Sequence, residues 1–378
     1  MQVTVKDNYL NMRTGLPSVN APNTKYLNPG DILEIDGQLY QGDSYQGVNT
    51  WVKDAAMNYY WSGAVAHQIQ TMSIVPTSPT DINDFRQIAQ FPPQLINYNE
   101  RLVKIPIGIK SNLGAGVKVG VLDSGVEKLH LDLAKNLVYS KDFTNSSAGD
   151  EDMQGHGTPM ASLIAASPFF TGQGVMGVAP DAKLYSAKVM YDRDSPDDFL
   201  SVQNGLDDLL TNRMDIINMS IGHPPFNPAT VVSQYISNKL AQSTDTIFFA
   251  STKQFDQIDN PAELLELFPA NCANVIPVCC LTRDLTMKYW DNLPAPLIIV
   301  PYFLDSSCSI KTRHYYFQVY GSSVSTALVS GITSLLLSAD NTITRTKQGV
   351  LNALKPYSST VEEAFSNPGP EIHFIIKT

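Results

Sequence analysis

Between residues 117 and 250 four runs of β-branched and other apolar residues, 117–122, 184–189, 216–219 and 246–250, alternate with stretches of helical spacing. A strand with one wet face would alternate apolar with polar side chains. Runs that do not alternate belong to strands covered on both faces, and the intervening helices provide the cover. The pattern predicts an α/β domain on a parallel sheet, whose chemistry collects at the C-terminal strand ends. The first run ends there in Asp123-Ser124-Gly125.

The first hundred residues read differently. From about 9 to 65, short apolar runs are punctuated by turn residues, as in Leu10-Asn11-Met12-Arg13-Thr14-Gly15, Asn28-Pro29-Gly30-Asp31 and Ile32-Leu33-Glu34-Ile35-Asp36-Gly37. Strands of that length and spacing predict a small all-β unit. The stretch resembles a bacterial Src-homology-3-like barrel, in which an L-N-x-R-x-G opening, a P-G-D turn and a later Trp, here Trp51 or Trp61, recur. Its aromatic residues Trp51, Tyr59, Tyr60 and Trp61 either fill a small core or line a ligand groove. Pro76, Pro79, Pro92 and Pro93, among Ser, Thr, Asn and Gln, then mark a linker with at most one short helix around 82–90. The expected division is a barrel over 1–66, a linker over 67–100 and the α/β domain over 101–378.

Of 378 residues, 26 are Lys or Arg and 36 are Asp or Glu, a formal net charge of −10. That balance argues against a nucleic-acid partner, because nothing in it would neutralise a phosphate backbone. No run of eighteen apolar residues suggests a membrane span. The start, MQVTVKDNYLNMRTG, lacks the basic and apolar regions of a secretory signal, so a cytoplasmic protein with no membrane partner is expected. Cys272, Cys279, Cys280 and Cys308 have no zinc-type spacing and are expected as buried thiols.

Two further segments join Asp123. In Gln154-Gly155-His156-Gly157-Thr158-Pro159-Met160 a His between glycines opens a helix, and in Tyr320-Gly321-Ser322-Ser323-Val324-Ser325-Thr326-Ala327 serines begin an apolar one. Each alone reads as a turn Asp, a cap His or a cap Ser. Together they supply a hydroxyl nucleophile, a base for its proton and a carboxylate to fix the base's tautomer. Their chain order, Asp, His, Ser, is that of subtilisin. From about residue 104 to 338 the chain resembles the subtilisin-like serine proteases, or subtilases. The resemblance rests also on Lys104-Ile105-Pro106-Ile107-Gly108-Ile109, His130-Leu131-Asp132-Leu133, Val175-Met176-Gly177-Val178-Ala179-Pro180, Asn218-Met219-Ser220-Ile221-Gly222, Phe268-Pro269-Ala270 and Asn274-Val275-Ile276. It implies a subtilisin-like parallel sheet flanked by helices, with Ser323 as nucleophile, His156 as general base and then acid, and Asp123 orienting the imidazole. It also implies that Ser220, Ile221 and Gly222 pair with a bound peptide as an added strand.

The sequence departs from the family at the turn after the 246–250 run. An A-A-G-N turn there normally presents an Asn to the oxyanion, but here the residues are Ala250-Ser251-Thr252-Lys253-Gln254. Lys253 falls on the Asn position and Gln254 follows with a one-residue shift; both are donors. Thr252 in place of Gly adds bulk beside the first specificity pocket and favours small or narrow substrate side chains. The cluster Asp150-Glu151-Asp152 raises structural calcium as one reading and a solvated turn as the other, and the turn is the reading expected.

The function expected is a serine endopeptidase, needing no cofactor for hydrolysis and acting on polypeptides. Its cleft is expected to be gated by the N-terminal region or by a protein ligand or regulator of the barrel. The alternative is a pseudoprotease that holds a peptide or protein in the same cleft without cutting it.

Overall fold

In a computed structural model the four unalternating runs lie side by side at the centre of an eight-stranded sheet. Its strands are β1 (Lys118–Asp123), β2 (Leu137–Asp142), β3 (Lys183–Lys188), β4 (Ile216–Met219), β5 (Ile247–Ser251), β6 (Val275–Leu281), β7 (Leu297–Pro301) and β8 (Ile375–Lys377). The order across the sheet is β2-β3-β1-β4-β5-β6-β7-β8, all parallel except β8, which pairs antiparallel with β7. The structure describes residues 2–377 apart from 7–9, 15–22, 37, 46–47, 57, 67–73, 76–94, 170–173, 191–198, 223–230, 254–259, 282–285, 287, 289, 302–305, 310–315, 320 and 367–370.

Every residue of β4, β5, β6 and β7 is buried, as runs covered on both faces require. On one face Val119, Val121, Phe249 and Ile276 pack with helices α1 (Gly157–Ala165) and α4 (Ser322–Ala339). On the other, Leu122, Ile217 and Phe248 pack with α2 (Phe199–Thr211) and α3 (Val231–Gln242) through Leu206, Leu209, Ile236 and Leu240. Neighbours such as Phe248 and Phe249 thus serve opposite cores, the period-2 geometry of a strand. Helix α4 is long and apolar enough by composition to cross a membrane, and 83% of it is buried in this core. Three of its buried hydroxyls are satisfied within the helix: Thr326, Ser330 and Ser334 each donate to the carbonyl four residues back.

The chain divides into two units, 1–88 and 89–378. Ile96–Asn97 pairs in parallel with Val175–Met176, and Tyr98 and Leu102 are buried in the larger core, so the second unit's packing begins before residue 101. The first unit holds a three-stranded antiparallel sheet (Ile32–Glu34, Gln2–Val5, Val65–Ala66). Its second sheet is six-stranded, in the order Asn23–Leu27, Leu10–Thr14, Asn58–Trp61, Val48–Lys53, Leu39–Tyr45, Ile74–Val75. Among the described residues the two sheets share no ladder. The Pro-Gly-Asp turn forms as its residues demand: Gly30 takes φ +88° and Asp31 Oδ2 accepts from the Asn28 N–H at 2.8 Å. Trp51, Tyr59 and Tyr60 are buried and fill cores, and Tyr40 meets Tyr59 edge to face at 5.3 Å. Trp61, half-buried, donates Nε1–H to the Val48 carbonyl at 3.0 Å. The helix expected around 82–90 lies outside the described residues. Cys272, Cys279 and Cys280 are buried free thiols, and the side chain of Cys308 lies outside the described ones.

Candidate active site

The first turn of a helix leaves backbone N–H groups without intrahelical partners. In α1 the Gly157 N–H donates to Ser124 Oγ and the Thr158 N–H to Asp152 Oδ2, both at 2.9 Å. His156 stands at the cap position, yet its side chain caps nothing. With capping done by other residues, the imidazole turns to β1, where Nδ1 lies 2.8 Å from Asp123 Oδ1. Asp123 is fully buried at the C-terminal end of its strand, and the Ser124 N–H donates to the same Oδ1 at 2.7 Å. The His156 side chain is 36% exposed, which leaves it accessible to a ligand. Gly157 permits this approach. A Cβ there would sit 2.1 Å from the Gly125 carbonyl oxygen and 3.1 Å from Asp123 Oδ1.

Asp152 ties this arrangement together. It accepts from Ser124 Oγ–H (2.8 Å), Gly155 N–H (2.8 Å), Thr158 N–H (2.9 Å) and Thr158 Oγ1–H (2.6 Å) and is 1% exposed. The solvated turn expected for 150–152 is therefore corrected at this residue: its charge is buried because four protein donors replace water. Asp150 pairs with Lys128 at 2.9 Å. Burial alone would raise the Asp150 pKa, but the Lys128 hydrogen bond and charge outweigh it and hold the carboxyl below its usual range. Lys188, buried at the end of β3, donates Nζ–H to the Gly149 and Glu151 carbonyls at 2.9 and 2.6 Å. Burial pushes its pKa down, opposed by the charges of Asp142, Asp152, Asp150 and Glu151.

Ser323 stands on the first turn of α4. It and Ser220 clasp each other: Ser323 Oγ–H donates to the Ser220 carbonyl at 3.0 Å, and Ser220 Oγ–H to the Ser323 carbonyl at 2.8 Å. Asn218 Nδ2–H holds Ser220 Oγ at 3.0 Å, linking the pair to β4. His156, Ser323, Ser220, Ile221, Gly222 and Thr252 all line one cavity of about 270 Å³, with Asp123 behind His156. Lys253 does not line it. Its ammonium is held by Glu266 at 3.0 Å and Glu263 at 3.7 Å, and the Glu266 hydrogen bond raises its pKa. Gln254 lies outside the described residues. Leu267, also in the cavity wall, went unnoticed in the sequence because it sits next to a motif, Phe268-Pro269-Ala270, that drew attention for its resemblance alone. Among the described residues no group of three or more His, Cys, Asp or Glu is placed to hold a metal ion.

Residues 114–356 match the model of the subtilase family. Subtilisin DY of Bacillus licheniformis is 27% identical over 273 residues, which is 72% of this chain and 94% of the relative. The major intracellular serine protease of Bacillus subtilis (strain 168) is 28% identical over 255 residues, 65% of this chain and 77% of the relative. Subtilisin E of the same strain is 36% identical over 149 residues, 38% of each chain. With the family match over residues 114–356 spanning most of the α/β sheet, the chain belongs to the subtilase family and is a serine protease.

Proposed function

We propose that the chain is an endopeptidase working through Asp123, His156 and Ser323. The observation that supports it best is the 2.8 Å contact of His156 Nδ1 with a fully buried carboxylate, in a cavity that also holds Ser323. Asp123 fixes the tautomer in which Nδ1 carries hydrogen, so proton transfer runs through Nε2. For this the Ser323 hydroxyl leaves the Ser220 carbonyl and donates to that nitrogen. The oxygen then attacks the peptide carbonyl as His156 takes the proton. The resulting oxyanion lies at the N-terminus of α4, where the Ser323 N–H and the helix dipole favour negative charge. His156 gives its proton to the leaving amine, and water, activated by the same imidazole, frees the acyl group. The peptide backbone lies along Ser220, Ile221 and Gly222, with Thr252 across the cavity. This route needs no cofactor.

Two of the matched relatives are intracellular serine proteases, which supports a cytoplasmic setting for this chain too. An always-open protease would be hazardous there. In our reading the N-terminal unit, a Src-homology-3-like barrel, or a protein bound to it gates the cleft. A truncation testing this must stop short of Ile96, whose strand belongs to the second unit.

The pseudoprotease reading is favoured by one observation: Lys253, at the position of the usual oxyanion donor, is occupied by Glu266. Labelling with a fluorophosphonate probe separates the two. The peptidase reading expects labelling that vanishes in Ser323→Ala and accompanies peptide cleavage. Folded protein that neither labels nor cleaves, with or without residues 1–94, overturns it.

A further inference from the structure

Lysine is almost never fully buried, and Lys188 is. It ends β3 in register with Asp123 on β1, and the next N–H along, that of Val189, donates to the Asp123 carbonyl at 2.8 Å. An ammonium there has lost its water and needs acceptors within the protein. It takes two from the main chain, the carbonyls of Gly149 at 2.9 Å and Glu151 at 2.6 Å. The second belongs to the planar peptide unit that leads into Asp152, so holding its oxygen sets the direction in which the chain enters that residue.

The same loop is fixed at a second point. Gly125, at φ +102°, lies so close to it that a Cβ there would stand 2.8 Å from the Asp150 carbonyl oxygen and 3.1 Å from that of Glu151. From this loop Asp152 accepts the Ser124 hydroxyl, and Ser124 Oγ accepts the Gly157 N–H at the start of α1. The Ser124 N–H bonds the very Asp123 oxygen that meets His156 Nδ1. A continuous path of bonds therefore runs from the Lys188 ammonium to the imidazole.

We propose that Lys188 is a positioning residue for proton transfer at His156: by fixing the Glu151–Asp152 peptide unit it sets where α1 begins, and so the contact between the imidazole and Asp123. The proposal rests on the peptidase reading for its reaction and on these contacts alone for its geometry. Lys188 does not line the cavity, so its effect falls on the chemical step and not on peptide binding. A misplacement of about 1 Å at a reacting group is enough to cost about 10²-fold in rate.

The test sets Lys188→Met against Lys347→Met in the full chain. Lys347 is a matched control: its ammonium also donates to main-chain carbonyls, those of Val275 at 2.6 Å and Ala273 at 3.5 Å. Val275 begins β6, at the end of the parallel sheet away from Asp123. Thermal unfolding ranks the stability lost by each variant. Two readouts that lost stability alone would not move are then compared, the rate of fluorophosphonate labelling at Ser323 and the NMR signal and exchange protection of His156 Nδ1–H. Lys188→Met should slow labelling by about 10- to 100-fold and expose Nδ1–H to exchange. Its KM for a peptide substrate should stay within about twofold of wild type, as should both readouts in Lys347→Met. Lys188→Arg, which keeps charged donors, should restore part of the labelling rate. Should Lys188→Met fail to fold, Lys188→Gln takes its place with the same expectation. Labelling that slows equally at both positions, or an Nδ1–H signal unmoved by substitution of Lys188, overturns the proposal and leaves the peptidase reading intact. Absence of labelling and cleavage in every folded form, wild type included, overturns the peptidase reading, and the Nδ1–H signal then still decides whether Lys188 positions the imidazole.

Discussion

The two flanks of the cavity are built on different physics. On the His156 side, Asp152 is buried with four donors, Ser124 bridges it to the start of α1, and Lys188 holds the loop from within. In the turn after Thr252, Lys253 forms partly exposed ion pairs with Glu263 and Glu266. Buried charge-assisted hydrogen bonds are costly to break, whereas exposed pairs are worth about 0–1 kcal/mol. His156 is therefore positioned by a buried network, and in the proposed mechanism the oxyanion is left to the backbone of α4. Orientation of the base and stabilisation of charge are separable in this molecule.

The comparison breaks first at Asp152. Asp152→Ala removes the shared acceptor of Ser124, Gly155 and Thr158 and should cost about 3–5 kcal/mol in denaturant unfolding, with loss of fluorophosphonate labelling at Ser323. A cost below about 1 kcal/mol would mean that the network is no firmer than the surface pairs opposite. Next comes the other flank. If the Lys253 side chain adds nothing to the oxyanion, Lys253→Asn should restore a short donor and raise kcat. One such donor is worth about 10²–10³ in rate, or about 2.7–4 kcal/mol. An unchanged kcat would show that the turn, not the side chain, is out of place. Lys188→Met sharpens the first flank by leaving the Gly149 and Glu151 carbonyls unpaired, at about 1–3 kcal/mol in the same unfolding measurement. Lys188→Arg should recover part of that loss if the ammonium's hydrogen bonds are what matter.

The sheet, and the meeting of Asp123 with His156 beside a cavity that Ser323 also lines, were legible in the sequence for a simple reason. Unalternating runs are dictated by burial on both faces, and Asp123, His156 and Ser323 sit in short motifs whose local geometry is their own. What supports them was harder to see. Asp152 looks like part of a charge run until the fold delivers donors from Ser124 and Thr158, residues distant in sequence or hidden at a helix start. Leu267 looks like any apolar residue until the fold brings it against Gly222 in the cavity wall. Lys253 was read from its place in the chain, and its direction was decided by Glu266, which the turn alone could not reveal. Position along the chain is local information; partners across the sheet are not.

The smallest test lies at the edge of the firm flank, where Asp150 meets Lys128 and the two kinds of interaction grade into each other. The Asp150 carboxyl titrates below its usual value in the fold, so the pair contributes stability above the unfolded pKa of about 3.9 and loses it as pH falls through the folded one. Lys128 is half exposed, which keeps the contribution within the range of surface pairs, about 0.5 kcal/mol. Asp150→Asn should therefore be less stable than wild type by that amount near pH 7, and the difference should close as pH falls through the lowered pKa of the folded state. Added salt should shrink it at neutral pH, because the Debye length falls from about 10 Å at 0.1 M to about 3 Å at 1 M. A difference that stays constant from neutral to acid pH would assign the effect of Asp150 to packing. The buried network would then begin at this residue, ahead of Asp152.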